Sequence, residues 1–460
     1  MANILPFNAL RYDPEKVRLE DVLTQPYDKI TPEMQERYYN ASPYNLVRME
    51  LGKPEPNDNE KQNTYTRAAE FLQRAITDGA LVSDHEASVY AYSQTFADPC
   101  FANPWGKPGS DGGEARVLER RGFIALGRLA EYSENIVFRH EQTLSKPKSD
   151  RLNLLRATRT HSGQIFMLYS DPKREIDAAI EGHTTTQPPT SELTDEYGVA
   201  HRMWKISDPV LILMVRDKMS DKRLIIADGH HRYETALTYR AERRAHDLAK
   251  LMTPGRTGQL AVNPNAPHES TMMTFFNMDA EELVVLPTHR VVFGLPDFKP
   301  EGFLKGAEKF FAVERMKSNE AAAALKALSA ERHRTAFVAA IKDGTYLLRT
   351  KDETIESRNL LDGFSEQQRR LDVLRLHKIL LQHVLGISPA AITEQQHLSY
   401  VRSAEEAIAR VRDGADVAFL MNPVTIKQLA DIAFAGEVMP QKSTDFYPKL
   451  LSGLTLYAID

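Results

Sequence analysis

Residues 224–236 read Leu-Ile-Ile-Ala-Asp-Gly-His-His-Arg-Tyr-Glu-Thr-Ala, the densest set of reactive groups in the chain. The apolar run Leu224 to Ala227 has strand length and β-branched content. It stops at the turn pair Asp228-Gly229. His230, His231 and Arg232 follow, and then a helical pattern with Tyr233, Ala236 and Leu237 on one side. The first amides of such a helix lack intrahelical acceptors, and the macrodipole adds partial positive charge there, so a phosphate is a natural guest. Arg232 can grip it in a fork, and His230 or His231 can donate a proton or a hydrogen bond. Asp228 stands where a general base or metal ligand is wanted, and Gly229 lies in the turn against the phosphate. The plainer alternative is an ordinary turn with solvated histidines.

Other groups are candidates for the same cleft. Residues 145–151 form a basic stretch entering a helix capped by Ser149 or Asp150. Lys146, Lys148 and Arg151 make a phosphate clamp, extended by Arg156 and Arg159, against the alternative of a solvated helix face. His140-Glu141 lies just upstream, His140 being either a ligand or a surface residue. Tyr27 and Asp28 follow Pro26. Asn45 and Arg48 follow a second Pro-Tyr pair, Pro43-Tyr44. These four, with His289 and Arg290 after the apolar run Leu283 to Leu286, are candidates for substrate contact. Lys442 and Lys449, in the polar run 441–449, are placed to reach a triphosphate or a substrate carboxylate. The run is expected to return to the cleft that holds Asp228; the alternative is a solvated tail.

The elements that position these groups are readable. Alternating aromatics predict a strand at Val89–Phe96, and Gly122–Leu129 and Ile165–Tyr169 are further strand candidates, the first two forming a hairpin with a long Gly/Pro-rich tip at 98–113. A helix is expected within 60–78, closed by Gly79, and loops at 184–194 and 253–270. After about residue 300 the texture changes. Helical patterns near 319–330, 366–385, 403–413 and 424–435 alternate with strands at 336–341, 345–349 and 416–421. Ser403 and Glu406 form a capping-box pattern, and Gly414 is a stop signal. Two domains are therefore expected, 1–300 carrying the Asp-Gly-His-His-Arg turn and 301–460 as a separate α+β unit.

Composition narrows the function classes. The chain has 460 residues, net charge −5 and one cysteine, Cys100. The charge gives no basic footprint for nucleic acid, and one cysteine builds neither a disulfide framework nor a cysteine zinc site. No signal-peptide pattern or bilayer-length apolar run occurs. The expectation is a cytoplasmic protein with a small-molecule substrate and neither nucleic-acid nor membrane partner. Walker, dinucleotide-binding, His-Glu-x-x-His and Gly-x-Ser-x-Gly signatures are all absent.

In order along the chain, Pro6-Phe7, Leu10-Arg11-Tyr12, Pro26-Tyr27-Asp28, Ser42-Pro43-Tyr44-Asn45, Arg121-Gly122-Phe123, His140-Glu141, Lys148 to Arg151, Leu154 to Arg159, Ala227 to Ala236, Pro287 to Arg290 and Met439 to Gly453 resemble the motifs of one bacterial family, domain of unknown function 1015. Gln142, Lys146 and Lys29 depart from its usual pattern. The Asp-Gly-His-His-Arg turn more distantly resembles the phosphate-contacting turn of the ParB/sulfiredoxin-like fold, which includes free serine kinases. That resemblance implies an α+β fold with a ParB/sulfiredoxin-like mixed core and insertions. It further implies nucleotide phosphates held by the turn's amides and its arginine, with Asp228 and Arg232 as the transferable positions.

The expected function is phosphoryl transfer from a nucleotide (ADP or ATP) or pyrophosphate, with Mg²⁺ as a candidate ion, to a small hydroxyl-bearing acceptor such as serine. The alternatives are a nucleotide-binding switch or adaptor without small-molecule chemistry, and a metal-dependent phosphatase built on His140, His230, His231 and His289.

Overall fold

The computed structural model describes residues 2–99, 116–141, 145–251 and 263–459. The expected hairpin tip lies almost wholly outside these residues, as does most of the expected 253–270 loop.

Chain contacts divide the protein into two α+β units. The first comprises residues 1–139, 143–283 and 448–460, and the second residues 140–142 and 284–447. In the first unit the strands are β1 (Ile4–Leu5), β2 (Val89–Ala97), β3 (Val117–Arg128), β4 (Val137–Phe138), β5 (Ile165–Tyr169), β6 (Ser191–Thr194), β7 (Ala200–Ile206), β8 (Leu224–Asp228) and β9 (Ser270–Asn277). They form one mixed sheet of nine strands in the order β4-β8-β5-β9-β3-β2-β7-β6, with β1 on β3. β2 and β3 pair antiparallel in the register Tyr92↔Gly122, as the expected hairpin requires. β3 begins before the expected Gly122 because Glu119, Arg120 and Arg121 hide its first half from a hydropathy reading. Arg120 is nonetheless buried, its guanidinium carbon 4.8 Å from the Phe166 ring centre and 4.7 Å from that of Phe276. The expected loop at 184–194 likewise contains β6, an edge strand whose polar composition reflects its exposed side.

Helices α1 (Thr64–Thr77), α2 (Ser145–Thr158), α3 (Glu175–Thr184), α4 (Pro209–Met219) and α5 (His230–Leu251) belong to this unit. α3, α4 and α5 bury Ile176, Ile180, Val215, Met219, Tyr233 and Ala236 in one core with Ala91, Phe123, Met167, Ile226 and Phe275 of the sheet. Residues 448–460 return to the other face, where Thr455 donates to the Met272 sulfur (3.1 Å) and Leu456 exchanges backbone hydrogen bonds with Leu10. With both faces covered, the central strands read as continuous apolar runs rather than as alternation.

The second unit is built on an antiparallel sheet of β10 (His289–Val292), β11 (Phe311–Arg315), β12 (Ala336–Ile341), β13 (Gly344–Thr350), β14 (Leu398–Val401) and β15 (Val417–Met421), in the order β11-β13-β12-β15-β10-β14. Helices α6 (Ala321–Ala330) and α7 (Ala404–Arg412) bury Ala324, Leu328, Ala407 and Ile408 against Val291, Val338, Leu347 and Leu420. Ser403 caps α7 by accepting from the Glu406 amide (3.1 Å), but the Glu406 carboxylate accepts from Arg410 (2.6 Å), so only one half of the expected capping box forms. The expected helix 366–385 is two short helices followed by a π-helical stretch, Leu376–Val384. The division falls upstream of the expected residue 300 because β10 pairs between β14 and β15.

Phe123 has no exposed surface and stacks on Phe275 at 5.1 Å. Phe123→Ala should lower stability by about 3–5 kcal/mol, read as a shift of the urea unfolding midpoint with an unchanged slope.

Candidate functional site

The strand β8 ends at Asp228 with an irregularity in its pairing to β5 between Ile226 and Asp228. Gly229 then adopts φ +92°, a left-handed backbone that glycine takes at little cost, and α5 begins at His230. This is the strand, tight turn and helix that the sequence implies. A side-chain carbon on Gly229 would lie 3.1 Å from the Arg232 Nη2 atom, and one on Gly163 would lie 2.9 Å from Arg232 Nη1. The guanidinium therefore lies against two glycines. Its Nη2 sits 3.3 Å from Asp228 Oδ2, and its Nη1 donates to the Gln164 carbonyl.

The second carboxylate oxygen of Asp228 faces Lys449, whose Nζ is 3.4 Å away and whose side chain is 8% exposed. Lys449 is placed by its backbone: the Gln94 side-chain amide donates to its carbonyl (2.8 Å), and Arg120 donates to that of Pro448 (2.6 Å). The Arg120 side chain also donates to Gln94, linking both anchors. Burial by itself would raise the Asp228 pKa, but Lys449, Arg232, Lys29 and His230 together hold it well below the usual carboxylate range. Asp228 is thus fixed as an anion among cations.

Tyr27 lies beside this group. Its hydroxyl is pushed up to about 12 by burial, opposed by the charges of Arg151 and Arg232. The Arg151 guanidinium carbon stands 4.2 Å from the Tyr27 ring centre. Asp28, next in the chain, is exposed. The structure therefore brings Tyr27, Asp228, Gly229, His230, Arg232 and Lys449 into one neighbourhood, with His231 half-buried in the first turn of α5.

Other expected members are committed elsewhere. Arg151 donates to Glu50 Oε2 (3.0 Å), to the Glu50 carbonyl (2.8 Å) and to Asp150 (2.6 Å), so its fork is filled. Lys148 pairs with Glu234. The expected second clamp is therefore neutralised by carboxylates within the unit. The Lys146 side chain lies outside the described residues. Asn45 donates to the Asp21 carbonyl (2.8 Å) and accepts from Val47 (2.9 Å), the bonds of a turn residue. Arg48 donates to the Tyr39 carbonyl (2.7 Å) and lies 4.5 Å from the Tyr39 ring centre.

His140, His289, Arg290 and Lys442 belong to the second unit. His140 Nε2 bonds the Thr444 hydroxyl (2.8 Å), and Arg290 donates to the Lys442 carbonyl (3.0 Å). Burial, with Arg290 adding, pushes the imidazole of His289 down to about 3. Lys442 has an exposed side chain, so of the two expected tail lysines only Lys449 reaches Asp228. No three His, Cys, Asp or Glu side chains converge as a metal-ion set among the described residues, and the four histidines of the phosphatase alternative form no such group there. Sequence reasoning missed Glu50, Gly163, Gln164 and Glu234; only Gly163, in a Ser-Gly turn before β5, carried a local signal.

The sequence matches the family described as Protein of unknown function (DUF1015) over residues 4–374. The chain belongs to that family. No curated protein matches it. Among solved structures, a free serine kinase in complex with AMP is 13% identical and has a TM-score of 0.33, covering 75% of this chain and 96% of its own. A conserved hypothetical protein from Pyrococcus furiosus is 13% identical, with a TM-score of 0.32 over 70% of this chain and 91% of that one. SbnI from Staphylococcus aureus, truncated at its C-terminus, is 10% identical, with a TM-score of 0.31 over 72% and 87%. Likeness this slight carries no argument for this chain. No helix among the described residues is long and apolar enough to cross a membrane.

The depressed pKa of Asp228 fixes a pH dependence. Its ionised form contributes stability that is fully present above the ordinary carboxylate value, about 3.9, and is lost as pH falls through the lower folded-state value. Asp228→Asn should be less stable than the parent at pH 7, and the gap should narrow below about pH 4, measured by urea unfolding at stepped pH. A gap constant from neutral to acid pH would contradict the ion-pair account.

Proposed function

We propose that the first unit binds the phosphates of a nucleotide or of pyrophosphate at the start of α5 and transfers a phosphoryl group to a small hydroxyl-bearing acceptor, with a hydroxy amino acid such as serine as the leading candidate. The observation that carries this reading is the charge at Asp228: Lys449, Arg232 and Lys29 surround one carboxylate at the N-terminus of a 22-residue helix. These cationic side chains and the first-turn amides act on the same small volume, which suits an anion with several oxygens.

Phosphoryl transfer needs positioning and charge stabilisation more than covalent help from the protein. Arg232 and Lys449 neutralise charge on the transferred group. Asp228 holds those two cations and orients the acceptor hydroxyl, whose oxygen bonds to phosphorus as the bond to the leaving phosphate breaks. With Asp228 a weak base, the hydroxyl proton passes to a phosphate oxygen. Asp228 would be the carboxylate to hold a Mg²⁺ ion, which would offset charge on the phosphate. A small-molecule substrate and a cytoplasmic site of action remain part of the proposal.

The same low basicity of Asp228 favours a second reading, a nucleotide-responsive switch or adaptor with no acceptor. Phosphorus NMR of ADP, ATP, CTP and pyrophosphate with and without hydroxy amino acids separates the two: acceptor-dependent product supports transfer, and binding without product supports the switch.

Arg232→Ala should weaken binding of nucleotide or inorganic pyrophosphate by roughly 1.5–3 kcal/mol, the scale of charge-assisted hydrogen bonds, in a protein that still unfolds cooperatively. Lys449→Met should act in the same direction by calorimetric titration. Parent-like affinity in both folded variants would remove the phosphate site from this turn.

A further inference from the structure

On the helix-covered face of the first sheet, Ser93 of β2 pairs across to Arg121 of β3 on one side and to Arg202 of β7 on the other. These three residues form one row of the floor of a cavity of about 400 Å³, which α3 and β6 help to line. Successive strand residues point to opposite faces. Gln94, next to Ser93, points the other way and holds the Lys449 carbonyl. The cavity is therefore separated from the Asp228 site by the thickness of the sheet.

Ser93 is 2% exposed, and its hydroxyl oxygen has no hydrogen-bond partner. A buried hydroxyl left unpaired is costly, and Ser93 belongs to the lining of this cavity. The row above continues with Ala91 and Trp204. The indole N–H of Trp204 donates to the Gln187 carbonyl (3.0 Å), which fixes the ring while leaving it half-buried at the cavity wall.

The charges select the guest. Arg121 is paired with Glu119 (2.8 Å) and Glu181, and Arg202 with Glu192 (2.6 Å). Asp177 is the fourth carboxylate of the lining, against two guanidiniums. Arg174 reaches Asp177 at 3.3 Å from outside the lining, and carboxylates still outnumber cations once it is counted. An anion is repelled here, whereas an ammonium finds carboxylate oxygens, a hydroxyl acceptor and an aromatic face.

We propose that this cavity is a second ligand site, distinct from the phosphate site, and that it takes a small organic amine: a protonated primary amine on a flat apolar body. The ammonium donates to Ser93 and to the Glu181 and Glu192 carboxylates, and the body lies on Trp204. Its size is within the range of small-molecule pockets.

The test uses the indole. The chain has two tryptophans, so Trp105→Phe leaves Trp204 as its sole fluorophore of that kind. This variant is titrated in parallel with phenethylamine and with 3-phenylpropionate, which share a body and differ in charge. The expected result is a saturable change in Trp204 emission with the amine and none with the acid. Adding Ser93→Ala, a replacement close in size, should weaken the amine about 5- to 10-fold while leaving the unfolding midpoint near that of the parent. No saturable response, an equal response to the acid, or unchanged amine affinity in the folded Ser93→Ala protein would each overturn the proposal.

Discussion

A carboxylate at the end of a buried strand is driven toward its neutral form by the loss of water, and Asp228 stays ionised because cations from three separate stretches of chain meet it. Arg232 comes from one turn into the following helix, Lys29 from near the N-terminus, and Lys449 from the returning segment. Much of the first unit serves that meeting. Gly163 and Gly229 let the guanidinium lie flat, and Gln94 and Arg120 fix the carbonyls that carry Lys449 into place. The same returning segment buries Leu450, Leu451, Leu454 and Leu456, so packing and electrostatics hold one piece of chain together.

Arg120 shows how the sheet tolerates the charge this requires. Its guanidinium lies over two phenylalanine rings and donates to the Gln94 side-chain oxygen and the Pro448 carbonyl. Burial pushes its pKa down to about 9, with the Tyr92 hydroxyl opposing.

Local features were legible in the sequence, and partnerships were not. Ile165–Tyr169 and Ala336–Ile341 read directly as strands because each is a short apolar run between breakers. The Asp228-Gly229 turn was visible because its chemistry lies within a few residues. The fate of Arg151 was hidden, since Glu50 stands 101 positions away. Lys442 and Lys449 look alike in one polar run, yet one is exposed and the other is buried against Asp228. Composition reports that a cation exists; only the fold decides which carboxylate claims it. The start of β3 was obscured for a related reason, because a row of charged residues reads as solvent-facing until the rings beneath Arg120 are known.

Lys449 follows the second unit in the chain, so the ribosome makes residues 284–447 between the body of the first unit and the lysine that its carboxylate needs. At about 5–20 residues per second, that interval is of the order of ten to thirty seconds. During it Asp228 has Arg232 and Lys29 but not its buried lysine, and the surface that packs against Leu450, Leu451, Leu454 and Leu456 lacks them. Nascent chains of this architecture expose an apolar surface for longer than their length alone suggests. Chaperone occupancy should therefore fall only once the returning segment has been made and has packed in place.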